Sequence, residues 1–138
     1  MNVSTHTQTI ATNALLLHGF TGDPSDVKPV TDMLVQHGWN CHAPTLPGHE
    51  DGFSNIGNVE WADWRRKVEE EAEQCTRLYG KFSIIGFSMG CLLAAYAANR
   101  YPVERVVLLN APVIYFSPKR YVEFFWEHTR KTICRKSP

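Results

Sequence analysis

The pentad Gly86-Phe87-Ser88-Met89-Gly90 has the G-x-S-x-G spacing of a serine nucleophile. Its chemistry would be acyl transfer, in which the Ser88 hydroxyl attacks a carbonyl carbon and a tetrahedral oxyanion forms. Such a serine needs a sharp strand-to-helix turn, which lifts the hydroxyl above a sheet and aims a helix N-terminus at it. Glycines at 86 and 90 let neighbouring backbones pass closely without a Cβ clash. The oxyanion also needs N–H donors, and one is the backbone N–H of the residue after the nucleophile, Met89. The second should come from a loop after an earlier strand. LLLHGFTGD supplies such a loop, with Phe20 following its His18-Gly19 pair.

The surrounding pattern provides the elements to hold these residues. Residues 82–86 form an aliphatic run that passes directly into 89–100, where CLLAAYAA is apolar nearly all round, as for a helix buried against a sheet. Residues 14–17 are another short aliphatic run and predict a buried strand ending at His18-Gly19. Asp23 then offers an N-cap and Pro24 a first helical residue. Val27, Val30 and Leu34 share one helix face, and Gly38 supplies the stop. Residues 39–43 predict a second strand, running into the turn-rich stretch 44–52. Trp61, Trp64, Val68, Cys75 and Leu78 mark one side of a long helix closed by Gly80, with Glu69, Glu70 and Glu73 on the other side. Residues 105–109 predict a further strand, ended by Asn110-Ala111-Pro112. Ser117-Pro118 then reads as a helix start, followed by Tyr121, Phe124, Phe125 and His128 on roughly one face. Alternation of this kind argues for parallel strands joined by right-handed helical crossovers. The fold class expected is α/β, a parallel sheet of about four strands with helices on both faces.

Composition bounds the partners. Residues 1–138 make one domain by length, and 43% apolar residues is ordinary for a globular protein. Fourteen basic and fourteen acidic residues cancel. That leaves no long-range field to gather nucleic acid, which is not expected as a partner. The longest apolar runs are far short of the roughly 20 residues needed to span a bilayer, and the Thr-rich start lacks the regions of a signal peptide. Cys41, Cys75, Cys91 and Cys134 form no CxxC pair, so reduced thiols are expected, with no metal and no cofactor. A cytoplasmic protein is the expectation.

LLLHGFTGD, then CHAPTLPGHE, then IGFSMG, in that order and spacing, resemble the carboxylesterase and monoacylglycerol-lipase branch of the α/β-hydrolases from about residue 15 to residue 112. The resemblance implies a serine esterase with Ser88 as nucleophile, acting on a small-molecule acyl ester. It also implies that the N–H of Phe20 joins that of Met89 in the oxyanion hole, and that Gly86 and Gly90 shape the nucleophile elbow. His18 would then be structural, tying the oxyanion loop in place, and His49 would be a hydrogen-bonding residue of the PGHE loop beside the site. Asp23, Asp26 and Asp32 lie on or before a surface helix, where charge is solvated. By the same resemblance, 115–131 occupies the place of a helical cap, whose aromatic face suits an acyl chain and equally suits plain packing.

The resemblance implies a catalytic acid and then a His after the nucleophile. Fifty residues follow Ser88, with no Asp among them. The acids there are Glu104, Glu123 and Glu127, and the one imidazole is His128. Glu123, Glu127 and His128 fall on one predicted helix, and adjacent helical residues such as Glu127 and His128 point apart. The sequence therefore reads as a truncated α/β-hydrolase, a single partial domain, with esterase activity impaired for want of acid and base. The alternative is a non-catalytic α/β fragment that binds an acyl ligand or a partner. A thioesterase or an acyltransferase would use the same elbow. Nucleotide binding lacks both G-x-G-x-x-G and G-x-x-x-x-G-K-[ST]. Without further strands, 105–109 would be a bare sheet edge and would invite self-association.

Overall fold

A computed structural model describes residues 12–50 and 55–112. Four strands form one parallel sheet in the order β2-β1-β3-β4: β1 (Asn13–Leu17), β2 (Asn40–His42), β3 (Phe82–Phe87) and β4 (Val103–Leu109). Strands β1 and β3 lie inside the sheet, which is why NALLL and FSIIGF read as near-continuous apolar runs. Successive side chains point to opposite faces, so each strand feeds two cores. Leu15, Leu17 and Ile84 pack with Val68, Ala72 and Leu93, from helices α2 (Trp61–Tyr79) and α3 (Gly90–Ala98). Ala14, Leu16 and Ile85 pack on the other face with Val27, Val30 and Leu34, around helix α1 (Lys28–Gln36). Helices thus cover both faces, as the sequence pattern predicts. Each fully buried aliphatic side chain contributes roughly 1.5–3 kcal/mol relative to exposure.

The first crossover begins as expected, with Asp23 accepting from Ser25 N–H at 2.7 Å. Its first turn, Pro24–Val27, is a 3₁₀ helix and not α. Pro29 explains the break, because it has no N–H to carry the ladder across the junction. Gly38, at φ 82°, then ends α1 with a left-handed residue that glycine adopts without strain.

Helix α2 departs from its expected stripe in two ways. Trp64, Val68 and Cys75 are buried, but Trp61 and Leu78 are exposed, and Glu71 is buried in their stead. Glu71 can go inside because Lys67 and His42 each meet its carboxylate at 2.6 Å. Burial opposes the charge on Glu71, yet the hydrogen bonds from Lys67 and His42 hold its carboxyl below the ordinary range. Glu69 is not simply solvated either: it accepts from the Tyr96 hydroxyl, tying α2 to α3. Burial, aided by the Glu71 charge, pushes the Cys75 thiol up to about 11.

Among the described residues β4 pairs with β3 alone and closes one edge of the sheet. Val106, Val107 and Leu108 are each more than two-fifths exposed there. No helix among the described residues is long and apolar enough to cross a membrane. The expected cap at 115–131, with Glu123, Glu127 and His128, lies outside the described residues.

Candidate active site

The strand order places the site. From β1 the chain steps outward to β2, then returns past β1 to β3, so the connections leave β1 and β3 in opposite directions. At such a switch point the two loops after the strands splay apart and leave a crevice at the carboxyl ends. The loop after β1 begins His18-Gly19-Phe20, and the turn after β3 is Ser88-Met89. The two segments that the sequence singles out therefore meet at the carboxyl ends of the central strands.

Ser88 occupies the left-handed region at φ 52°, a conformation costly for a side chain with a Cβ. The surroundings hold it there. Its N–H donates to the Leu109 carbonyl at 3.0 Å, and its own carbonyl accepts from Cys91 N–H at 2.9 Å. The Cys91 thiol lies within hydrogen-bond reach of the carbonyls of Gly86 (3.1 Å) and Leu109 (3.3 Å), so the end of β4 is bound to the turn. Gly86 and Gly90 are needed for space: a Cβ on Gly86 would stand 2.3 Å from the Gly90 carbonyl oxygen. One on Gly90 would stand 2.3 Å from the Leu17 carbonyl oxygen. These contacts seat the first turn of α3 directly on the ends of β1 and β3.

Met89 is the N-cap residue of α3 and is buried. Cys91 and Leu92 N–H bond back to Ser88 and Met89, so the amide of Met89 belongs to the helix start that a helix leaves for outside acceptors. The partial positive charge at that end of α3 favours an anion beside Ser88. On the side of the first loop, a Cβ on Gly19 would lie 3.2 Å from Ser88 Cβ and 3.7 Å from Oγ, so the loop backbone runs against the serine side chain. The structure thus brings together Ser88, Met89, Gly86, Gly90 and the Gly19-Phe20 segment.

Two imidazoles flank that segment. His18 is fully buried, its Nε2 accepting from Leu46 N–H at 3.0 Å and its Nδ1–H donating to the Gly19 carbonyl at 2.9 Å. Burial lowers its pKa and outweighs the hydrogen bond to Gly19, in accord with a neutral ring. With both nitrogens engaged by backbone, the ring fastens the loop. His49 is 3% exposed and stands edge-on to His18, with ring centroids 4.9 Å apart. Its Nε2 faces the Phe20 carbonyl, and its Nδ1 faces those of Leu46 and Pro47. Among the described residues no imidazole hydrogen-bonds Ser88, and no group of His, Cys, Asp and Glu is placed to hold a metal ion. Cys41, Cys75 and Cys91 are free thiols.

Sequence reasoning missed the part played by Cys91 and Leu109. Asn110, at φ 53° just after β4, was the available signal, since Asn tolerates the left-handed region better than most residues. Nothing in the spacing marks Cys91 as more than a buried helix residue.

A parallel sheet with a strained serine on a strand-to-helix turn, at its switch point, is the architecture of an α/β-hydrolase. The profile of the Alpha/beta hydrolase family matches residues 14–132, and the chain belongs to that family. It is 31% identical over 104 residues to a thermostable monoacylglycerol lipase of Bacillus sp. (strain H-257), spanning 72% of this chain and 40% of that protein. It is 30% identical over 100 residues to a carboxylesterase of Bacillus subtilis (strain 168), spanning 72% of this chain and 41% of the relative. The chain thus spans about two-fifths of the length of these curated relatives. A carboxylesterase structure from the thaumarchaeon Nitrososphaera gargenis superposes with a TM-score of 0.63 at 22% identity, covering 91% of this chain and 46% of the other. A thioesterase domain from the curacin biosynthetic pathway gives a TM-score of 0.63 at 19% identity, over 88% and 46% of the two chains. At such identities the structural likeness speaks for the fold.

Proposed function

We propose that this chain carries the nucleophile and oxyanion machinery of a carboxylic ester hydrolase. Ser88 Oγ attacks the carbonyl carbon of a small-molecule acyl ester, and its proton passes to water. The tetrahedral oxyanion accepts from the N–H groups of Met89 and Phe20. Collapse breaks the bond to the alcohol, which leaves with a proton, and water then releases the acid from acyl-Ser88. The observation that carries this reading is Ser88 held at φ 52° with the Gly19 backbone against its side chain. Strain of this kind persists where the surroundings over-determine it, which is what a reactive turn needs.

The described residues place no base on Ser88, and without one a serine hydroxyl is a poor nucleophile. An oxyanion hole and binding alone leave roughly 10³–10⁴ over water in serine proteases stripped of their triad. The same observation favours a second reading, a non-catalytic module that binds an acyl ligand in the crevice. A fluorophosphonate probe separates the two. Labelling of the purified chain is expected to be slow and to vanish in Ser88→Ala. Labelling no faster than in that variant would sink the hydrolase reading and leave the binding module.

Self-association belongs to the same proposal. Among the described residues no strand pairs with the outer edge of β4, which presents valines and a leucine and suits pairing with the same edge of a second copy. Size-exclusion chromatography should show a species larger than a monomer, shifted toward the monomer by Val107→Lys. A wild-type chain that elutes as a clean monomer would sink this part.

A further inference from the structure

Phe20 sits between two peptide planes, and each plane is held by an imidazole. The Gly19 carbonyl and the Phe20 N–H belong to one trans peptide, so they point in opposite directions. His18 Nδ1–H holds that carbonyl at 2.9 Å and thereby directs the N–H away from itself. The next carbonyl, that of Phe20, meets His49 Nε2. Carbonyl oxygens only accept, so the proton of this bond sits on His49 Nε2. A neutral imidazole has one N–H for the carbonyls around it and the imidazolium has two, so either form can hold Phe20 through Nε2. Both rings root in the same short segment: Leu46 N–H donates to His18 Nε2 at 3.0 Å, and the Leu46 and Pro47 carbonyls lie 3.2 and 3.0 Å from His49 Nδ1. Trp64 Nε1–H in turn donates to the Pro47 carbonyl at 2.9 Å, which anchors that segment to helix α2. The Phe20 ring stands edge-on to both His49 and Trp64.

Turning the Phe20 N–H out of line turns the Gly19–Phe20 plane and breaks the bond to His18, whereas a backbone displacement at Phe20 that swings the following plane breaks the bond to His49. His18 fixes the plane that carries the donor. His49 fixes the plane after it, closing the remaining freedom about Phe20.

We propose that His49 is a positioning residue for ester hydrolysis: by holding the Phe20 carbonyl through Nε2, it anchors Phe20 just beyond the plane that His18 fixes, and so keeps the Phe20 N–H in place to receive the oxyanion. The inference rests on the reading of Phe20 as an oxyanion donor. His49 touches no substrate atom in this role.

Two variants test it. His49→Phe keeps a buried ring against His18, Phe20 and Trp64 and removes the donor, whereas His49→Gln keeps an N–H. The amide order parameter of Phe20, measured by nitrogen-15 relaxation, should sit near the rigid value of about 0.85 in the wild type and fall clearly below it in His49→Phe. In saturation labelling with a fluorophosphonate, kinact should drop about tenfold or more while KI stays within about twofold, because misplacement of a donor acts on the transition state. His49→Gln should recover most of both quantities. An unchanged Phe20 order parameter in folded His49→Phe overturns the proposal, as does a His49→Gln loss equal to that of His49→Phe. If the wild type resists labelling while the order parameter responds, the brace stands and the hydrolase reading falls. Should His49→Phe fail to fold, the wild type decides: a His49 Nε2 proton coupled through the hydrogen bond to the Phe20 carbonyl carbon is expected, and its absence overturns the assignment.

Discussion

Gly90→Ala is expected to lower the melting temperature by about 5–10 °C and to abolish labelling at Ser88, although alanine is the better helix former. Propensity alone would stabilise a helix by up to about 1 kcal/mol for this change. The steric term has the opposite sign and the larger size. The new Cβ would stand 2.3 Å from the Leu17 carbonyl oxygen and 2.8 Å from that of His18, both backbone atoms at the end of β1. Leu17 is fully buried and paired on its strand with Gly86, so it has no open side to move toward. Overpacking of this kind costs roughly 1–3 kcal/mol, and more where backbone must shift. The net loss, about 2 kcal/mol, corresponds to several degrees for a domain of this length. A scanning calorimetry trace with an unchanged or higher melting temperature would show that α3 can slide off the strand ends. The seating of Met89 described above would then be wrong.

Ser88→Gly should abolish fluorophosphonate labelling and, at the same time, leave the fold more stable than Ser88→Ala by about 1 kcal/mol. Both substitutions delete the hydroxyl. Only glycine relieves the left-handed backbone, which costs a residue with a Cβ roughly 1–2 kcal/mol. Part of that gain is offset because glycine loses more chain entropy on folding, by roughly 0.5–1 kcal/mol. Chemical denaturation of the two variants side by side reads the difference. Equal midpoints would mean that the φ of 52° stores no strain, and that the turn relaxes when the side chain is shortened.

The parts of the fold that were legible in the sequence are those governed by local pattern. The buried strands β1 and β3 announce themselves as aliphatic runs, and Asp23-Pro24 and Gly38 mark the ends of the first crossover. The strand-to-helix turn at Ser88 was legible because its glycines are demanded by close backbone contact, and that requirement leaves a fixed spacing. Long-range compensation was not legible. Glu71 can be buried because Lys67 lies one turn before it and His42 lies across on β2. The sequence alone shows the first neighbour and hides the second. The same limit hid the contact between His49 and Phe20, and the reach of Cys91 to Leu109. The exposure of Leu78 is a miss of another kind. Periodicity tells which side of a helix it occupies, and says nothing of whether another element lies over that turn.

The double use of the Leu109 carbonyl, by the Ser88 amide and the Cys91 thiol, also sets an order of events. A chain emerging from the ribosome presents Ser88 well before residue 109 follows. Until then the amide of Ser88 has no β4 to bond to, and the left-handed turn has less to hold it. The left-handed turn at Ser88 therefore has its full set of backbone bonds only once β4 has docked on β3. Parallel pairing across such a stretch is a slow step in general, and here it is the step that completes the bonding of the Ser88 turn.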